Sequence, residues 1–311
     1  MTERFKIEDA ASYDSLACEF DQFNEIRAPV VETMFARIDV SQSRNLLDVG
    51  TGTGIVAIEA SQRAAPGARI VGVDLSDGLL SSAREKTRNN ARIALARMDA
   101  ESLAFKTASF DTVLSLYALL HFPNPEAALA EMFRVLRPLG RAMIAIGSGP
   151  PWLSRQGILH RFERLPDLVH VARGRLLLAP GFLDQLVREM YRTSAGGEET
   201  ELARHSHVRG SQVLSLIREA GFVNVSAHWQ GYEHSFEDPD RFWLVQRVYS
   251  SFSRKRLNAL SSADQNAVKR EFLDRTRRVL ARGGRLVYPY AAFFVSGQKP
   301  QPTPATLDRT A

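Results

Sequence analysis

Cysteine is nearly absent from the 311-residue chain, in which Cys18 is the only example. A single cysteine excludes an internal disulfide and a thiolate metal cluster. The pair His205 and His207 has no carboxylate motif beside it, so ordinary surface histidines are the better interpretation. We therefore predict no metal site.

Long apolar runs are also missing. No uninterrupted stretch approaches the ~20 residues that span a bilayer, and residues 1–9 lack the apolar core of a signal peptide. We expect no membrane span and a cytoplasmic location. The proline-rich residues near the C-terminus have too little apolar content to fold, so residues 299–311 are predicted to be a disordered tail.

Lysine is scarce, and arginine supplies most of the positive charge behind the net value of +5. Most arginines alternate with acids along predicted helices, which is typical of a solvated helical surface. Binding to a phosphate backbone needs clustered cations instead. We predict no nucleic-acid partner, and an oligomer remains possible.

The remaining composition is that of an ordinary globular protein, with 44% hydrophobic and 24% charged residues. Residues 44–147 alternate between predicted strands and helices, and the strands are 45–49, 69–73, 92–96, 110–116 and 140–146. This alternation favours right-handed crossovers and a parallel sheet with helices on both faces. Ligands of such sheets bind at the carboxyl ends of the strands.

Residues 44–54 organise the rest of the chain. The first predicted strand ends at Gly50, Gly52 and Gly54, directly before a helical pattern. Glycines adopt positive φ and let a ligand approach the main chain, and the first amides of the helix carry partial positive charge. The glycines alone are ambiguous, because they also satisfy the dinucleotide fingerprint of NAD-type oxidoreductases.

Three acidic residues help to distinguish which cofactor the glycine turn binds. Asp48 precedes the glycines, Asp74 ends the second predicted strand, and Asp99 lies in the loop after the third. A carboxylate at the position of Asp74 can accept both hydrogen bonds of a ribose diol. Because these acids and Ser115 all fall at strand ends, we expect one crevice to collect them.

In these segments the chain resembles the class I S-adenosyl-methionine-dependent methyltransferases, closest to the small-molecule branch that includes the ubiquinone-biosynthesis type. The matching segments have the family's order and spacing, and they are residues 46–54, 71–76, 98–100, 110–115 and 134–141. One departure is Leu139, which stands where the family usually has glycine in a turn.

The resemblance implies an α/β fold with a Rossmann-like, doubly wound, seven-stranded sheet. One antiparallel strand is expected between strands five and six, with N-terminal helices and a helical lid added. The expected parts are a helical cap (1–43), a cofactor-binding core (44–148), a lid or substrate insertion (149–210), a C-terminal part of the core with a helical insertion (211–298) and the tail (299–311).

The resemblance also implies S-adenosyl-methionine as cofactor and S-adenosyl-homocysteine as its product. The implied cofactor-binding residues are Asp48, Gly50, Thr51, Gly52, Gly54, Asp74, Leu75, Met98, Asp99, Ala100 and Ser115. Asp74 would accept from the ribose diol, and Asp99 from the adenine amino group beside the amide of Ala100. A surface or helix-capping role for Asp74 and an Asx turn at Asp99 are the simpler alternatives.

Two adenine contacts and the methionine site complete this set. Leu75 and Met98 would flank the adenine, although both could equally be core residues. Asp48 would surround the methionine portion together with the amides of Gly50 and Gly52 and the carbonyl of Ser115, because an ammonium needs acceptors and a carboxylate needs donors.

His121 and Tyr13 are the candidate catalytic residues. Methyl transfer depends mainly on holding a nucleophile in line with the methyl carbon and away from water. A base is needed only when the nucleophile must lose a proton, and a histidine can take it near neutral pH. His121 could instead only shape the pocket. Tyr13 belongs to an N-terminal segment that resembles the family's cover over the cofactor, where it could approach the sulfonium.

The chain lacks the Asn/Asp-Pro-Pro-Tyr/Phe sequence with which resembling enzymes methylate exocyclic nitrogens, since residues 115–118 are Ser-Leu-Tyr-Ala. Aromatic and aliphatic residues in the elaborations, such as Trp152, Phe162 and Trp243, favour a hydrophobic metabolite. We expect a methyltransferase that acts on oxygen, carbon or nitrogen of such a molecule. A methyltransferase-fold protein without methyl transfer, and a NAD-type oxidoreductase, are the alternatives.

Overall fold

A computed structural model describes residues 2–14, 16–150, 154–179, 181–191 and 210–302. The chain divides into two compact units, of which the first comprises residues 1–149, 207–229 and 292–311, and the second residues 150–206 and 230–291. Several residues named above lie outside the described ranges: Trp152, the two histidines at 205 and 207, and tail residues 303–311.

The strands are β1 Asn45–Val49, β2 Arg69–Asp74, β3 Ile93–Arg97, β4 Phe110–Leu116, β5 Leu136–Ile146, β6 Leu176–Leu178, β7 Val223–Phe236 and β8 Arg285–Gln298. In the first unit the order is β3-β2-β1-β4-β5-β8, and β7 also pairs with β8. The first five strands are parallel, and β8 runs antiparallel to β5. The predicted α/β sheet with one antiparallel strand is therefore confirmed.

The helices are α1 Thr2–Asp14, α2 Ala17–Phe20, α3 Asn24–Phe35, α4 Ile55–Arg63, α5 Asp77–Thr87, α6 Pro125–Val135, α7 Arg155–Glu163, α8 Leu165–Ala172, α9 Phe182–Met190, α10 Gly210–Glu219, α11 Pro239–Tyr249, α12 Ser251–Asn258 and α13 Ser262–Ala281. Short 3-10 turns occupy Asp21–Phe23 and Leu119–His121. Helix starts follow from local chemistry: the Ser76 hydroxyl accepts from the amide of Leu79 at α5, and the Asn124 side chain accepts from the amide of Ala127 at α6.

The central strands of the first unit are buried on both faces, and for this reason they consist of apolar runs. Leu46, Leu47 and Val49 on β1 are fully buried, as are Val113 and Leu114 on β4. The carboxyl ends of β1, β2, β3 and β4 therefore meet at one edge of a rigid sheet. The polar residues that follow these strands are placed by the sheet and not by the loops.

Leu139 occupies the turn in which the resembling family usually has glycine. It adopts φ of 65° and is 54% exposed. Its amide donates to the carbonyl of Lys299, and its own carbonyl accepts from the side chain of Gln298. The turn thus keeps a left-handed conformation that glycine would adopt with less strain. Lys299, assigned to the tail from the sequence, also donates from Nζ to the carbonyl of Leu136.

The second unit has its own core. Phe272 on α13 packs against Phe182 of α9 and Trp243 of α11, with ring centroids 5.0 and 5.1 Å apart. The amide of Leu183 donates to the buried side chain of Gln246. By contrast, apolar side chains on α7 and α8 are exposed, including Phe162 at 65%.

Several element boundaries differ from those expected. The sixth predicted strand, 222–229, continues as β7 to Phe236, and the helical pattern at 242–252 is divided between α11 and α12. Helices α7 and α8 and the short strand β6 were not predicted. Strand β6 pairs in parallel with the first residues of β8 inside the second unit. Three residues carry too little periodic signal for a strand to be recognised.

Candidate functional site

The glycine turn links β1 to α4. Gly50, Gly52 and Gly54 have φ of 72°, 54° and 85°. A Cβ atom on Gly50 would lie 2.2 Å from the Cβ of Ala118, whereas no atom lies within 4 Å of the corresponding position at Gly52. Gly50 therefore lets the loop after β4 approach the turn, and Gly52 leaves open space beside the main chain.

Two amides of this turn are used inside the protein. The amide of Gly50 donates to the carbonyl of Val73, and the amide of Gly52 donates to Oδ2 of Asp74, each at 2.8 to 2.9 Å. Both amides are therefore paired within the protein in this structure. A ligand carboxylate would need donors from another part of the chain.

Asp48 lies at the end of β1, where it is 1% exposed. Its Oδ2 accepts from the hydroxyl of Thr51 at 2.7 Å, while its Oδ1 has no hydrogen-bond partner among the described residues. Burial raises the pKa of Asp48 to about 7; the Thr51 bond opposes this rise and the nearby Asp74 carboxylate adds to it. A buried carboxylate with one free oxygen is suited to a cationic ligand group.

Asp74, at the end of β2, faces the glycine turn. Besides the bond from Gly52, its Oδ1 accepts from the amide of Ser76 at 3.0 Å. Burial raises the pKa of Asp74, while the hydrogen bonds from Ser76 and Gly52 lower it. Asp48 and Asp74 therefore meet at the same turn.

Asp99 follows β3 and is partly buried. Its Oδ1 accepts from the amide of Glu101, which is the Asx turn named above as the simpler alternative, and its Oδ2 accepts from Nζ of Lys6 at 2.6 Å. Ala100 is buried, whereas Leu75 and Met98 are only partly buried. The amide of Met98 donates to the carbonyl of Asp74 at 3.0 Å, so the loop of Asp99 lies beside the end of β2.

Ser115 is fully buried near the end of β4, and its Oγ has no partner among the described residues. Tyr117 follows with φ of 57°, a conformation that L residues rarely adopt. The chain then turns through Leu119–His121. This sharp turn returns His121 towards the sheet edge.

His121 and Tyr13 come together. The Tyr13 hydroxyl lies 3.4 Å from Nε2 of His121, and the two rings meet edge to face with centroids 5.5 Å apart. On the other side of the imidazole, Nδ1 lies 3.1 Å from Oδ2 of Asp9. Asp9 is 6% exposed and was not identified from the sequence, since a lone aspartate in a helical pattern gives no distinguishing signal.

Helix α1 is attached along its length to the carboxyl edge of the sheet. Lys6 forms ion pairs with Asp99 and Glu101, at 2.6 and 2.7 Å. At the other end of the helix, Asp14 accepts from the hydroxyl of Ser76 and from the amide of Gly78. Helix α1 is therefore held at the strand ends by polar contacts near both of its ends.

Arg27 was also missed by the sequence reasoning. This 7% exposed side chain on α3 donates to Thr53 in the glycine turn at 3.1 Å and to Asn24 at 2.7 Å. Its Nε has no partner among the described residues. An arginine between the apolar positions of an amphipathic helix could have indicated a buried cation.

Within the described ranges, no cluster of three or more His, Cys, Asp or Glu side chains is arranged to hold a metal ion. None of the helices in those ranges combines the length and the apolar character needed to cross a bilayer.

Comparison with known proteins assigns residues 47–144 to a family model described as a methyltransferase domain. The chain is 26% identical to the Nocamycin O-methyltransferase of Saccharothrix syringae, over 93% of this chain and 95% of that protein. It is 30% identical to the Demethylmenaquinone methyltransferase of Thermus thermophilus, over 49% of this chain and 72% of that protein. With the Ubiquinone/menaquinone biosynthesis C-methyltransferase of Geobacter sulfurreducens it shares 32% identity, and it spans only 57% of that relative.

Solved structures share the fold. A protein of Bacillus halodurans is similar with a TM-score of 0.52 and 17% identity, over 87% of this chain and 99% of that one. The YcgJ protein of Bacillus subtilis has a TM-score of 0.50 and 18% identity, over 88% of this chain and 98% of that one. At these identities the likeness concerns architecture alone.

Proposed function

Because this chain belongs to the class I S-adenosyl-methionine-dependent methyltransferases, we propose that it methylates an oxygen, carbon or nitrogen atom of a hydrophobic small metabolite. S-adenosyl-methionine is the cofactor of this family. Relatives named as an O-methyltransferase and as C-methyltransferases support a small-molecule acceptor. No observation favours a protein without methyl transfer or a NAD-type oxidoreductase.

The observation that carries the proposal is the buried, unpartnered Oδ1 of Asp48 beside the open space at Gly52. An unpaired buried carboxylate oxygen is costly, and an ammonium group would satisfy it. The α-ammonium of S-adenosyl-methionine is such a group. The residues present therefore fit the cofactor.

The roles proposed for the other acids rest on the family resemblance and on their place at the strand ends. Asp74 would bind the ribose hydroxyls, and Asp99 would accept from the adenine amino group, with Leu75 and Met98 beside the ring. Thr51 holds Asp48 in place through its hydroxyl. Ala100, Gly54 and Ser115 remain proposed members of the same site.

Arg27 is the donor proposed for the cofactor's carboxylate. The amides of Gly50 and Gly52 are already engaged, so another donor is required. Arg27 contacts the glycine turn at Thr53 and has an unpartnered Nε. A guanidinium has a rigid set of N–H donors that matches the geometry of a carboxylate.

When bound, S-adenosyl-methionine supplies an electrophilic methyl group. The protein then has to hold the acceptor and, where the acceptor carries a proton, remove it. His121 is proposed as that base, and Tyr13 as its neighbour.

Isothermal titration with S-adenosyl-methionine and S-adenosyl-homocysteine tests the cofactor site. Asp74→Asn keeps the shape of the side chain but removes its charge. Since a hydrogen bond to a charged group contributes about 1.5–3 kcal/mol, losing the ionic character of the ribose contacts should weaken binding by about 10²-fold. Asp77→Asn is the matched control, because Asp77 is an exposed aspartate only three residues away.

Two results would contradict the assignment: no binding by the unmodified protein, or an unchanged affinity in Asp74→Asn. Binding without methyl release across a panel of hydrophobic acceptors would favour the non-catalytic alternative. Cytoplasmic location and the absence of a nucleic-acid partner remain predictions from the sequence.

A further inference from the structure

Asp9 is an acidic side chain that contacts the proposed base directly. Its carboxylate is 6% exposed and lies 3.1 Å from Nδ1 of His121, although the two residues are 112 positions apart. The imidazole is 39% exposed, so it is accessible while its partner is buried. This is the arrangement of a buried carboxylate that orients a reactive histidine.

The contact determines which imidazole nitrogen carries the proton. An ionised carboxylate can only accept, so Nδ1 must donate, and the neutral ring then has a bare Nε2. The Tyr13 hydroxyl, 3.4 Å from Nε2, is positioned to donate to it. The bare nitrogen therefore already faces a hydroxyl group in this structure.

We propose that Asp9 is a positioning residue that holds His121 in the tautomer with an unprotonated Nε2, and that the methyl acceptor is a hydroxyl group. This inference rests on the proposed methyl transfer. Asp9 contacts neither cofactor nor acceptor in this account, and it acts only through His121.

The chemistry of a hydroxyl acceptor explains why such a pair is useful. An alcohol or phenol is a weak nucleophile until it loses its proton, whereas a neutral amine can attack with its lone pair and release a proton afterwards. For the hydroxyl, the O–H bond breaks and its proton passes to Nε2. The oxygen electron pair forms the bond to the methyl carbon, and the pair of the broken C–S bond stays on sulfur.

The net charge is unchanged in this step, but the positive charge moves to a position beside a carboxylate. The positive charge leaves the sulfonium, which becomes a neutral thioether, and appears on the imidazolium beside Asp9. A buried carboxylate stabilises that developing charge without reorganisation. Proton transfer of this kind typically contributes about 10²–10⁴-fold to rate.

Attachment of α1 does not by itself require Asp9. Lys6 binds Asp99 and Glu101 near the start of the helix, and Asp14 binds Ser76 near its end. Asp14→Ala is therefore a matched control, since it removes an attachment of the same helix but leaves the carboxylate at His121.

Nitrogen-detected NMR of the full chain, labelled with 15N-histidine, reads the tautomer without cofactor or turnover. His121→Gln assigns its signals among the 7 histidines. We expect His121 to be protonated on Nδ1 in the unmodified protein and in Asp14→Ala, and to become a mixture of tautomers in Asp9→Ala. A proton on Nε2 in the unmodified protein, or no change in Asp9→Ala, would overturn the positioning role.

Kinetics test the acceptor class. Asp9→Asn should lower kcat on hydroxyl acceptors by about 10²-fold or more, with unchanged cofactor affinity. Its pH profile should also change, and the titratable groups that face His121 among the described residues are Asp9, Tyr13 and Asp74.

Failures can be told apart. If the unmodified protein does not bind S-adenosyl-methionine, the proposed function fails even when the tautomer is as expected. If it binds the cofactor but methylates only amines, the hydroxyl assignment is wrong. If Asp9→Asn and Asp14→Ala reduce kcat equally, Asp9 acts as an attachment of α1 and the positioning role is wrong.

Discussion

Cofactor binding should release a proton from Asp48. The carboxyl has a pKa of about 7 in the cofactor-free protein, because it is buried and only one of its oxygens is hydrogen-bonded. An ammonium at the free oxygen would favour the ionised form and lower this pKa. Asp48 would therefore be partly protonated before binding and ionised after it.

The size of the effect follows from the pKa. With a value of about 7, about nine in ten Asp48 side chains are protonated at pH 6 and about half at pH 7. Binding should then release about 0.9 proton at pH 6 and about 0.5 at pH 7. The α-amino group of the ligand titrates near pH 8 and is already protonated under these conditions.

Calorimetric titration in buffers of different ionisation enthalpy counts these protons. The slope of observed enthalpy against buffer enthalpy gives the number released, and Asp48→Asn should remove that contribution if it still binds. A slope of zero at pH 6 in the unmodified protein, or an equal slope in Asp48→Asn, would refute the assigned role.

Three further predictions concern stability. Burial raises the pKa of Asp48 in the folded protein to about 7, so its ionisation lowers the free energy of unfolding as the pH rises towards about 7. In thermal melts over that pH range, Asp48→Asn should therefore become increasingly more stable than the unmodified protein. A constant difference between the two would contradict this. Leu139→Gly should raise the free energy of unfolding measured in urea by up to about 1 kcal/mol, because glycine adopts a left-handed φ without strain. A lower free energy of unfolding would show that packing of the leucine side chain outweighs this strain. Gly50→Ala and Gly67→Ala both place alanine at a positive φ, but only the Cβ atom at position 50 would lie 2.2 Å from the Cβ of Ala118. Gly50→Ala should therefore be the less stable of the two, and equal stability would contradict the crowding.

The core of the fold was predictable because its signals are local. Strands β1 and β4 have the bounds expected from the sequence, since apolar runs and glycine or polar residues mark their ends. Parallel strands bring their carboxyl ends to one edge, so the meeting of Asp48 and Asp74 followed from topology. The geometry of the turn at Leu139 could not be predicted, because a leucine in the sequence does not indicate a positive φ.

The polar partners of the site could not be read from the chain. Asp9 lies 112 positions from His121, and Lys6 lies 93 positions from Asp99. Such pairs form only after α1 packs on the sheet, and neither residue type nor spacing indicates the partner. Arg27 is similar, because its contact with Thr53 spans 26 positions.

The central claim is that three acids at strand ends surround one nucleoside cofactor. A crystal structure of the protein with S-adenosyl-homocysteine tests it most directly. We expect the ribose hydroxyls on Asp74, the adenine amino group at Asp99 and the ammonium at the free oxygen of Asp48. A ligand bound elsewhere, or one that contacts none of these carboxylates, would contradict it.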